Sequence, residues 1–160
     1  KPDDVDEPES FQRADRSPPR WRSSTPGWWT AAAVVALVAA IANVVVFAVA
    51  ASNLDGDVLI PTSPGSDDTT ALNVVVVAAS TAMAAALAAV LAWWLSRFSA
   101  GIRWFMVLTV TGAAVSMVGP LSASIPTSST ITLVAMHVVA SAIIIGGLGR
   151  VMGHTMIDEA

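Results

Sequence analysis

Residues 28–52 read WWTAAAVVALVAAIANVVVFAVAAS, a run without one charged side chain. At about 1.5 Å per residue a helix of this length reaches about 37 Å, more than the roughly 30 Å hydrocarbon core of a bilayer. A helix on the surface of a soluble domain keeps a polar face, and this stretch has none. It is expected to cross a membrane with some tilt. Three more stretches of the same character follow, at about 71–95, 104–120 and 130–148, and none contains Asp, Glu, Lys or Arg. The expected fold is all-α: an integral membrane, antiparallel four-helix bundle.

The connections between these stretches set the expected orientation. Lys1, Arg13, Arg16, Arg20, Arg22, Arg97, Arg103 and Arg150 fall only before the first span, between the second and third, and after the fourth. Positive loops are retained in the cytoplasm, so both termini are expected there, in the plasma (inner) membrane of a multi-pass protein. The tryptophans follow the same map. Trp28, Trp29, Trp93, Trp94 and Trp104, with Trp21 nearby, lie at the expected inner interface, where an indole keeps its body in lipid and its N–H near water. The outer ends carry Pro61, Pro64, Pro120 and Pro126 with many Ser and Thr.

Composition agrees with a membrane protein and closes other classes. A 54% hydrophobic content and a mean hydropathy of +0.67 over 160 residues are too apolar for a water-facing surface. The net charge of −4 comes from acidic tails and from the loop of Asp55, Asp57, Asp67 and Asp68. That loop lacks the spacing and terminal Glu of an EF-hand and is expected to be simply solvated. Without cysteine there is no disulfide, thiolate metal site or cysteine nucleophile. The basic residues are too few and scattered for a nucleic-acid footprint. No cofactor is expected.

Residues 1–26 mix six acidic and five basic side chains with five prolines and are expected to be a disordered cytoplasmic tail. Within it, Ser17-Pro18 and Thr25-Pro26 read as linker, with phosphorylation as the alternative. The chain opens on Lys1 rather than Met, so residues upstream are expected. Residues 27–150 form the expected transmembrane domain and 151–160 a second cytoplasmic tail. Ala48-Val49-Ala50 resembles a signal-peptidase site, but the apolar run before it is too long for a signal peptide, and a retained anchor is expected. Ser96–Arg103 is a short turn that makes the second and third spans a hairpin. Gly119-Pro120 is expected to end the third span, making it the shortest, and Gly146, Gly147 and Gly149 to loosen the end of the fourth.

Alanine recurs at helical spacing at Ala32, Ala36 and Ala40 and again at Ala78, Ala82, Ala86 and Ala89. Small residues let helices approach closely where lipid is as apolar as leucine. Gly149 and Gly153 form a GxxxG beyond the apolar stretch and make a weak dimer motif. Two polar residues inside the spans weigh more. Asn43 lies about nine residues from the outer end of its span and His137 about seven, within about one helical turn of each other in depth. Ser80, Thr81, Thr109 and Thr111 fall in a similar layer. Polar groups facing lipid are costly, so these residues are expected to point inward as a polar layer in the outer half.

Two functions remain open. In the first, the layer only fixes helix register, and the protein is a non-catalytic accessory or scaffolding subunit docked by small-residue helix faces on other proteins of a larger inner-membrane assembly. In the second, His137 and Asn43 line a path or site in a small transporter or lipid-binding bundle, histidine being the side chain that ordinarily changes charge near neutral pH. A lone intramembrane His, without a carboxylate or nucleophile at its depth, argues against an enzyme and against most transporters.

The segments Val118-Gly119-Pro120-Leu121-Ser122 and Ala135-Met136-His137-Val138-Val139-Ala140 resemble a family of small four-span actinobacterial membrane proteins of unknown function, over residues 28–150. The shared positions are Pro120, Met136 and His137, and the resemblance implies the four-span fold without an activity. A looser resemblance, to accessory subunits of mycobacterial Mce-type lipid importers, implies a role in envelope lipid transport.

Overall fold

The computed structural model describes residues 26–53, 57–63 and 66–157, the side chains of Pro26 and of 154–157 excepted. The tail with Trp21, Ser17-Pro18 and Thr25 lies outside them. Five helices and one small hairpin follow in order: α1 (Pro26–Asn53), β1 (Leu59–Pro61), β2 (Thr69–Ala71), α2 (Val74–Leu95), α3 (Gly101–Ser116), α4 (Val118–Ser122) and α5 (Thr127–Ile157). Four helical segments are long and apolar enough to cross a bilayer, with α3 and α4 together making the third. The architecture is the expected all-α bundle, and α1 packs on both α2 and α5.

Several boundaries differ from those read in the sequence. The second span begins at Val74 rather than about 71, because Thr69–Ala71 pair with Leu59–Pro61 as an antiparallel two-stranded sheet. Asn73 then caps α2, its Oδ1 accepting from the Val76 amide at 3.0 Å. The third span starts at Gly101 rather than Trp104 and runs past Gly119-Pro120 to Ser122; at 22 residues it equals the second. Pro120 does not end it, because the helix breaks at Met117 and restarts at Val118, which puts Pro120 in a first turn, where no intrahelical N–H bond is lost.

α5 begins at Thr127 and continues through its glycines to Ile157, past the expected end at Leu148, and the apolar span within it is Thr127–Gly153. Packing outweighs the helix-weakening effect of glycine there. Leu148 and Met152 are fully buried, and a Cβ on Gly147 would come within 2.7 Å of Val35, so glycine is what lets α1 and α5 touch.

The core sits toward one end of the bundle. Trp28 and Ala32 of α1, Ala92 and Leu95 of α2, Phe105 of α3, and Leu148 and Met152 of α5 bury one another. The start of α1, the α2–α3 turn and the end of α5 therefore share that end, with Arg97, Arg103 and Arg150. The turn itself is tight. The Ser96 hydroxyl donates to the Trp93 carbonyl at 2.8 Å and the Gly101 amide to that of Phe98 at 2.9 Å. A Cβ on Gly101 would overlap the Leu95 carbonyl oxygen. Beyond this pinned start α3 is little covered: its only buried residues are Gly101 and Phe105.

The other end is closed by the hairpin. Val58 is buried, its carbonyl accepts from the Leu72 amide at 2.8 Å, and the Leu59 amide donates to the buried Ser129 hydroxyl at 3.0 Å. This ties the α1–α2 connection to the first turn of α5. Asp57, Asp67 and Asp68 are exposed.

Candidate functional site

A cleft of about 520 Å³ lies between α2, α3 and α5. Each helix contributes one face at helical spacing: Val77, Thr81, Ala84 and Ala88 from α2, Thr109, Gly112, Ala113 and Ser116 from α3, and Leu133, Met136, His137, Ala140, Ser141 and Ile144 from α5. Asn43 of α1 forms part of the floor. Small side chains predominate on the α2 and α3 walls, and the larger ones, Leu133, Met136, His137 and Ile144, come from α5.

Asn43 and Thr81 meet inside the bundle, both buried, with Asn43 Nδ2 donating to Thr81 Oγ1 at 2.8 Å. Thr81 in turn donates to the Val77 carbonyl at 2.8 Å, so its hydroxyl is satisfied. Asn43 is not: its buried Oδ1 has no hydrogen-bond partner among the described residues. Such an orphan costs about 1–3 kcal/mol.

His137 lines the same cleft, half-buried, with Nδ1 at 2.8 Å from the Leu133 carbonyl of its own helix. A carbonyl only accepts, so Nδ1 carries the hydrogen, and in the neutral ring Nε2 presents a lone pair. That nitrogen makes no hydrogen bond among the described residues.

The other expected members of the layer divide. Ser80 is exposed but also lines the cleft, its hydroxyl donating to the Val77 carbonyl at 3.1 Å. Thr109 lines the cleft, but its hydroxyl is spent on the Phe105 carbonyl at 2.6 Å. Thr111 is exposed, outside the cleft lining. Ser116 and Ser141, absent from the expected set, do line the cleft. Their signal was helical spacing: Ser116 lies seven residues after Thr109, and Ser141 four after His137.

At the opposite end the aromatic residues divide. Trp29, Trp94 and Trp104 are exposed to lipid, as anchors would be. Trp93 is half-buried, 6.0 Å from the Trp29 ring, with the Arg97 guanidinium 3.8 Å above its own ring. Trp28 instead faces the core at 6% exposure, its Nε1 unpartnered among the described residues.

Four helices long and apolar enough to cross a membrane define a multi-pass integral membrane protein in contact with the lipid bilayer. The chain belongs to a family of unknown function (DUF6069), whose model matches residues 23–154. Comparison with curated proteins and with solved structures found no match.

Proposed function

We propose that this protein is a non-catalytic accessory subunit of a plasma-membrane assembly and that it holds one lipid-class amphiphile in the cleft, as a component of envelope lipid transport would. The cleft carries this reading. Its 520 Å³ falls within the roughly 300–1,000 Å³ of small-molecule sites, and its walls join an apolar majority to a few polar groups. The third span, one wall of the cleft, is also the least buried, 6% of its apolar window against 17–22% for the others, which favours entry from lipid. A molecule already dissolved in the bilayer enters such a cleft without crossing water.

The chemistry of the walls favours binding over catalysis. The one titratable lining group is His137, and its Nδ1 is engaged by its own helix rather than by a carboxylate or a nucleophile. The cluster of Arg97, Arg103 and Arg150 at one end supports the orientation with both termini in the cytoplasm. On that orientation the cleft lies in the outer half of the bilayer.

Affinity purification of the tagged full chain in mild detergent, read by native mass spectrometry, tests the proposal. A 1:1 lipid adduct and a copurifying membrane protein are expected, with the lipid alone lost in Ala113→Phe, which fills the cleft. A lipid without a protein partner reduces the function to lipid binding. A bare monomer, even after crosslinking, overturns it.

A further inference from the structure

We infer that the cleft selects an amphiphile whose head is uncharged and donates a hydrogen bond, an alcohol or an amide, received by Nε2 of His137 and Oδ1 of Asn43. The inference rests on the lipid-holding reading and adds the class of the ligand. Three observations carry it.

The first is the sign of the unpaired groups. Asn43 is 6% exposed and its Oδ1 lacks a partner, while the Nδ1 bond to Leu133 leaves the neutral His137 ring with Nε2 as an acceptor. Thr81 and Thr109 direct their hydroxyl hydrogens at carbonyls of their own helices. Ser80 and Ser116 do the same, which leaves the Ser141 hydroxyl as a donor in the lining beside two acceptors in want of a hydrogen, and a donor on the ligand relieves those acceptors. Nε2 is the acceptor a ligand meets first, because Oδ1 is covered and comes within reach through a small turn of the amide.

The second is charge. No residue lining the cleft is Lys, Arg, Asp or Glu. An anionic head, phosphate or carboxylate, would bring lone pairs against lone pairs with no cation to offset its desolvation, and a cationic head would find no carboxylate.

The third is shape. Below His137 the lining continues through Ala140, Ser141 and Ile144 on α5 and through Ala84 and Ala88 on α2, a mostly apolar groove about two helical turns long that takes a chain.

Nanodiscs of phosphatidylcholine, which has no donor, provide the test, with the full chain titrated by three probes: dioleoylglycerol, its hydroxyl methyl ether, and dioleoyl phosphatidic acid. Native mass spectrometry should show a 1:1 adduct with dioleoylglycerol, about tenfold weaker with the ether and weaker still with the phosphatidic acid. His137→Phe should bring diacylglycerol and ether to equal affinity, and His137→Gln, which keeps an acceptor, should restore the preference. Equal binding of diacylglycerol and ether by the unmodified chain, or tighter binding of the acid, overturns the head-group assignment while leaving lipid binding in place. Absence of an adduct with every probe and with the carrier lipid overturns the lipid-holding reading itself.

Discussion

The two ends of this bundle are built from nearly the same residues and pack in opposite ways. At the arginine-bearing end, alanines and glycines face large side chains: Phe105, Leu148 and Met152 are fully buried among Ala32, Ala92 and the close approach of Gly147 to Val35. In the other half, Ala84, Ala88, Gly112, Ala113 and Ala140 face one another across about 520 Å³. Small residues bring helices together only where something large enters the space between them. Lipid is as apolar as leucine, so little drives an empty seam shut, and contact has to come from interleaved packing. Where fewer large side chains interleave, the same composition that seals one end leaves a cleft in the other half.

Gly101 is where the contrast is held, and changing it should have the largest effect. A Cβ there meets backbone, the Leu95 carbonyl, which cannot rotate away as a side chain would. Gly101→Val is expected to cost about 3 kcal/mol, the upper part of the usual range for overpacking. Gly112→Ala, in the cleft wall with nothing within 4 Å of the new Cβ, should leave stability unchanged or slightly raised. Unfolding in mixed micelles compares the two, and similar losses would dissolve the distinction between the ends.

Phe105 comes next. In water its truncation would forfeit both transfer free energy and packing, about 3–5 kcal/mol. Here the unfolded reference is still in lipid, so the transfer part largely vanishes and the cavity part remains, about 2–3 kcal/mol. Val110→Ala, at an exposed position on the same helix, should cost below about 0.5 kcal/mol. Equal costs would mean that α3 is held along its length rather than at its first turn. A cysteine scan of α3 with a lipid-soluble thiol reagent gives the same contrast by protection.

These differences explain which features were legible in the chain itself. The spans were, because length and the absence of charge decide them. The meeting of Asn43 with Thr81 was half legible: depth can be counted from the span ends, and both fall in one layer. Helix phase cannot be counted that way. A span apolar all round has almost no preferred face, so Thr111 looked equivalent to Thr81 and Thr109, although its helix turns it outward. The hairpin had a signal that the acidic residues masked: Val58-Leu59-Ile60 and Thr69-Thr70 are β-favouring runs on either side of a Ser, Pro, Gly and Asp turn. The continuation past Pro120 depends on a break at Met117, which nothing local announces. The cleft depends on which small residues face each other, a property of the assembled bundle.

The Asn43–Thr81 bond should give the smallest effect and the finest test of how the two ends differ. It is the buried side-chain hydrogen bond between α1 and α2 in the half that lacks large knobs, so it does there, weakly, what Phe105 does at the closed end. Interhelical hydrogen bonds in membranes average about 0.6 kcal/mol, because the unfolded chain in lipid also finds partners. A double-mutant cycle with Asn43→Leu and Thr81→Val should therefore return a coupling of about 0.6 kcal/mol. The two single changes should nevertheless be unequal. Thr81→Val keeps the shape but strands Nδ2 of Asn43 beside an Oδ1 that is already unpaired, whereas Asn43→Leu removes both orphans and leaves Thr81 bonded to Val77. Asn43→Leu is thus expected to be the milder of the two, neutral or slightly stabilising, while depriving the cleft of an acceptor. If Asn43→Leu instead proves the more damaging change, Asn43 is holding the bundle together, and its unpaired oxygen is not kept for a ligand.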